Sequence, residues 1–85
     1  MKVYRVVSPK MLAKYQRQGY IPAPVRAWAD IYEAVRFSCS TGRPIILRLK
    51  FPDDAKRLPG HKGNAVYLDE DYIIPDSLKT KNGNG

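Results

Sequence analysis

The chain has 85 residues, of which 44% are hydrophobic and nine aromatic, and a formal net charge of +7. A chain this short buries only about 60% of its unfolded surface around one core, which excludes a second domain, and its apolar content excludes intrinsic disorder. The charge is uneven: residues 1–50 carry ten Lys or Arg against Asp30 and Glu33, a balance of +8, whereas residues 51–85 come to −1. Such asymmetry favours an anionic partner for the first part of the chain, whether nucleic acid, a phosphorylated small molecule or an acidic protein, although solubility alone accounts for it equally well.

The opening "KVYRVVS" alternates, with Val3, Arg5 and Val7 on one face and Tyr4 and Val6 on the other, and predicts a first strand. Ser8 is a helix N-cap and Pro9 takes the first helical position, where its missing N–H costs nothing. The helix is expected to run to about Gln18 with Met11, Leu12 and Tyr15 on one face, and Gly19 supplies the left-handed exit. The two prolines of "YIPAPVRAW" impose an extended path. Asp30 and Glu33 form a capping-box pattern before a second helix over residues 31–40, with Ile31, Ala34, Val35 and Ser38 as its core face and Gly42 as its end.

In "PIILRLKF", Ile45, Leu47, Leu49 and Phe51 face the core while Arg48 and Lys50 face out. A polar loop, "PDDAKRLPGHKGN", leads to two further strands, "AVYL" and "YIIP". The expected fold is a small single α+β domain over residues 1–78, a mixed and mostly antiparallel sheet with two helices in the order β-α-β-α-β-β-β, with a flexible tail at 79–85.

No stretch approaches the roughly 20 apolar residues that span a bilayer, and the N-terminus lacks an apolar leader segment. The single Cys39 forms no internal disulfide, so a soluble, cytoplasmic protein without membrane partners is expected, with oligomeric state undetermined. Cys39, between Ser38 and Ser40, carries no nucleophile motif and is expected to be packed. One histidine, His61, makes no metal site, and the loop Gly60-His61-Lys62-Gly63 lacks the following helix of a phosphate-binding P-loop and reads as a connector.

Three stretches together resemble the ADP-ribosyltransferase-like superfamily, which includes the poly-ADP-ribose polymerases, bacterial mono-ADP-ribosyltransferase toxins and tRNA 2′-phosphotransferases. "VYRVVSPKMLAKYQRQGYIP" is similar to the first strand, helix and Gly-x-Ile turn, "RAWADIYEAVRFS" to the strand and helix that follow, and "EDYIIPDSL" to the final strand. The resemblance implies NAD as cofactor, held by Arg5 with Arg26 and Trp28 beside it, and Asp71 or Glu70 as the catalytic acid of ADP-ribosyl transfer or of action on a phosphorylated RNA end. The chain departs from the family in placing Asp where Glu is usual, and in lacking the middle Tyr or Ser-Thr-Ser, where Ala27 and Trp28 stand. Glu70 and Asp71 are adjacent, so only one of them faces a cleft, and the three acids Asp69, Glu70 and Asp71 read equally as a charge-balancing turn. Arg5 between two valines calls for a bound pyrophosphate, for an acid such as Glu70 or Asp71 as its partner, or for a place on a strand at the sheet edge.

The alternative is a non-enzymatic basic module for nucleic acid or an acidic protein. Lys10, Lys14 and Arg17 share one side of the first helix, Arg36, Arg43, Arg48 and Lys50 add a second stripe, and Tyr15, Tyr20 and Tyr32 are candidates for stacking on bases.

Overall fold

A computed structural model describes residues 1–58 and 64–75. Strand β1 (Lys2–Val7) enters helix α1 (Pro9–Gln18), followed by β2 (Tyr20–Ile21), β3 (Val25–Trp28), helix α2 (Ile31–Thr41), β4 (Ile45–Lys50), β5 (Lys56–Arg57), β6 (Ala65–Leu68) and β7 (Tyr72–Ile73). The α+β class with two helices stands, and every pairing described is antiparallel. The expected order is short by two strands. The extended run after α1 divides into β2 and β3, which join different sheets, because Pro22 and Pro24 have no N–H to continue a ladder. Strand β5 lies in the polar stretch assigned to loop; as a two-residue edge strand it needs only backbone partners on β6, so no apolar alternation announces it. The 59–63 part of that loop and the 76–85 part of the domain end and tail lie outside the described residues.

The five-stranded sheet runs β4-β1-β3-β6-β5, and β2-β7 form a second, two-stranded sheet. One face of the large sheet carries the main core: Val3 and Val7 of β1, Leu47 and Leu49 of β4, Val25 and Ala27 of β3 and Val66 of β6, with Phe51 just beyond β4. Helix α1 covers it with Tyr15, Met11 and Leu12, and the small sheet adds Ile21 and the adjoining Ile74. Ser8 accepts from the Met11 N–H and Gly19 closes α1 at φ +87°, a left-handed conformation that suits glycine.

The other face carries Tyr4, Val6, Arg26 and Trp28, and α2 packs there with Ala34 buried and the Phe37 ring against Trp28, their centroids 5.6 Å apart. This corrects the expected core face of α2. Ile31 and Val35 are exposed, and the inward residues are Ala34 and Phe37, because an aromatic ring against Trp28 covers more surface than either aliphatic and Ala34 lets the helix approach closely. Glu33 does not close a capping box either. Asp30 caps α2 by accepting from the Tyr32 N–H, while the Glu33 carboxylate reaches across to the Asn64 N–H at 2.9 Å and ties α2 to β6. Cys39, expected to be packed, is exposed on the outer side of α2.

Candidate functional site

The site begins with a break in strand pairing. Strands β1 and β3 are registered at one pair, Tyr4 opposite Trp28, after which the ladder does not continue. Counting on from that pair places Val6 level with Arg26, and there a side chain takes over from the backbone: the Arg5 guanidinium donates through Nη1 to the Arg26 carbonyl at 2.8 Å. Its Nη2 donates to the Tyr15 hydroxyl, also at 2.8 Å, and the guanidinium carbon lies 5.7 Å from the centre of the Tyr15 ring. Arg5 therefore sits between two valines because α1 brings a phenol to it, and the sheet split a carbonyl. Its Nε is buried and has no hydrogen-bond acceptor among the described residues.

No carboxylate pairs with Arg5 among the described residues, so the acids considered as its partner, Glu70 and Asp71, do not serve that role. Each acid of the 69–71 run is engaged differently. Asp69 lies 4.0 Å from Lys56 on the neighbouring strand, Glu70 is exposed in the bend, and Asp71 accepts the Ala23 N–H at 2.9 Å, fastening the β6-β7 connection to the segment that enters β3.

At the split, on the α2 side, lies a pocket of about 470 Å³. Arg5 and Val6 form one wall and Pro24, Arg26, Ala27 and Trp28 the other; α2 contributes Phe37, the residue after its C-cap contributes Arg43, and Leu58 and Ala65 close the remaining side. The volume is that of a small-molecule site. The structure thus brings together all three residues assigned to cofactor binding, Arg5, Arg26 and Trp28. Asp71 and Glu70 are not among the residues that line the pocket; Asp71 accepts from Ala23, the neighbour of Pro24.

The sequence pattern places Arg43 in a surface stripe and marks Phe37 for no site. Arg43 follows Gly42, whose left-handed conformation (φ +70°) turns the chain back toward β4 and so sets the arginine at the pocket. Three arginines and, among the described residues, no acidic residue line the pocket together with two aromatic residues, an arrangement that concentrates positive potential and offers apolar surface beside it. A phosphate is matched by the forked donors of arginine, and a base or nicotinamide ring by the face of an indole.

The residues assigned to nucleic acid separate into two groups. Lys10, Lys14 and Arg17 are exposed on the side of α1 opposite Met11, Leu12 and Tyr15. Arg48 and Lys50 are exposed on the other face of the sheet, the face that α2 covers in part. They do not form one surface. Tyr15 is buried and holds Arg5, so it is removed from the stacking candidates, whereas Tyr32 is exposed.

Among the described residues no cluster of three His, Cys, Asp or Glu side chains is placed to hold a metal ion, and no helix is long and apolar enough to cross a membrane. Comparison of the chain with protein-family models, with curated proteins and with solved structures finds no match.

Proposed function

We propose that the pocket between β1 and β3 binds a phosphorylated nucleotide, NAD being the member of that class that the resemblance to ADP-ribosyltransferase-like proteins implies. The observation that carries the reading is Arg5. Among the described residues, the partly buried Arg5 has an Nε without a hydrogen-bond acceptor and no carboxylate paired with it, and it lines a pocket that also holds Arg26 and Arg43; a bound anion would supply the missing counter-charge. Trp28 and Phe37 supply the surface for the ring of the ligand. NAD fits this donor set through its pyrophosphate on the arginines and one ring on Trp28. When bound it would bring a reactive glycosidic bond at the nicotinamide ribose, but among the described residues the pocket lining carries no carboxylate to stabilise cleavage there. The function proposed is therefore nucleotide binding.

The test is titration of the protein with adenosine, AMP, ADP and NAD, followed by Trp28 fluorescence and two-dimensional NMR at low and moderate salt. Affinity should rise along the phosphorylated series, with shifts at Arg5, Trp28 and Arg43. Replacing Arg26 and Arg43 together by Gln, both exposed and neither part of the main core, should weaken NAD binding by about 1.5–3 kcal/mol for each charged hydrogen bond lost. Equal affinity for adenosine and ADP, or no change in the double variant, rejects the proposal.

A further inference from the structure

The α2-side face of the large sheet is only partly covered by α2. Toward the start of β1, strand register sets Lys2 directly opposite Lys50, and in the next row on this face Tyr4 lies between Arg48 of β4 and Trp28 of β3. Lys2, Arg48 and Lys50 are exposed, and Tyr4 and Trp28 are half-buried. Two ammonium groups opposed across an antiparallel pair repel, and the Arg48 guanidinium is one row away. None of these three cations makes an ion pair among the described residues. The acids at the start of α2 are committed elsewhere, Asp30 to the Tyr32 N–H and Glu33 to the Asn64 N–H. The face thus combines uncompensated positive charge with two neighbouring aromatic rings in one row.

We propose that this open half of the sheet is a binding platform for single-stranded nucleic acid, with phosphates on Lys2, Lys50 and Arg48 and a base stacked on Tyr4. The rings decide the chemistry. Cations alone would take any polyanion, but a half-buried phenol with cations on two sides matches a chain that alternates charge with unstacked planar bases. A duplex keeps its bases stacked inside, and an acidic peptide has no flat ring to set on Tyr4. The four residues proposed as contacts, Lys2, Tyr4, Arg48 and Lys50, do not line the pocket, and Trp28 beside Tyr4 marks the border between the two sites.

The test uses two variants with the same change in charge. One carries Lys2→Gln, Arg48→Gln and Lys50→Gln; the other carries Lys10→Gln, Lys14→Gln and Arg17→Gln on the far side of α1. Binding of a short labelled oligouridylate is followed by anisotropy across a salt series, with folding of each variant checked by NMR. The sheet variant should lose roughly tenfold or more in affinity and its salt slope should fall by about 2, from three phosphate contacts at ~0.7 each, whereas the helix variant stays within about threefold of the parent. Tyr4→Leu, which keeps an apolar side chain at that place in the sheet, should weaken binding at least about fivefold through lost stacking. Equal losses in the two triple variants would reduce the effect to net charge and overturn the proposal. So would absence of binding by the parent protein, equal affinity for a duplex of the same length, or displacement of the oligonucleotide by polyglutamate as readily as by unlabelled single strand.

Discussion

Arg5 shows how one residue can link fold and site. On a strand face otherwise made of valines, a guanidinium is tolerated because the Arg26 carbonyl and Tyr15 take one N–H each from Nη1 and Nη2, while Nε stays buried without an acceptor among the described residues. Buried polar groups without partners are rare in native proteins and ask for a reason, and a binding site is one such reason. The Tyr15 hydroxyl is the inner half of this arrangement. Tyr15→Phe should lower stability by about 1–3 kcal/mol, since it leaves Nη2 without its acceptor in a part-buried setting, and urea unfolding measures the loss. A change below about 0.3 kcal/mol would mean that water replaces the phenol and that Arg5 is not clamped. Asp71 makes a parallel case: the alternation of "DEDYIIP" leaves open which acid faces a cleft, and only the fold reveals that its carboxylate meets the Ala23 N–H.

At the scale of elements, α2 is the instructive one. Its boundaries follow from Asp30 and Gly42, but its rotation does not follow from its apolar residues. Ile31, Ala34 and Val35 form a plausible apolar stripe at helical spacing, yet the helix turns so that Ala34 and Phe37 meet the sheet and Ile31 and Val35 face outward. Phe37→Ala should therefore cost about 2–4 kcal/mol, the range for losing a partly buried aromatic, whereas Val35→Gln should fall within about 0.5 kcal/mol of the parent. Chemical denaturation of the two variants side by side checks this, and the reverse ranking would show the helix rotated as its apolar pattern suggests. Helix α1 behaves in the opposite way: Ser8, Pro9, the Met11-Leu12-Tyr15 face and Gly19 are all legible in the chain and all found in place. The difference lies in how α1 is specified, with caps and apolar spacing that agree on one orientation.

At the scale of the whole molecule, the topology joins distant parts of the chain. Strand β1 pairs along its full length with β4, Lys2 opposite Lys50, and β2 pairs with β7 across some fifty residues, Tyr20 opposite Ile73. Such closures lose loop entropy before any contact repays it, so refolding is expected on the millisecond-to-second scale of sheet-rich domains. Stopped-flow tryptophan fluorescence, with Trp28 as the single reporter, measures it; microsecond refolding would contradict the dominance of these non-local pairings. The same topology sets the charge of the surface. The cations of α1 and those of β4 read as one basic half in the chain, yet the sheet holds them on opposite sides.

What depends on near neighbours is legible in the chain: the α+β class, the ends of both helices and the inward residues of β4. These follow from capping groups and from alternation, which act over a few residues, whereas the grouping of Arg5, Arg26 and Trp28 comes from the family resemblance. What depends on register and on splitting is visible in three dimensions alone: that β1 and β3 part after Tyr4 and Trp28, that Phe37 and Arg43 join the pocket while Glu70 and Asp71 are not in its lining, and that Lys2 faces Lys50. Pairing register and helix rotation are set by contacts among residues far apart in sequence, and local pattern carries no record of them.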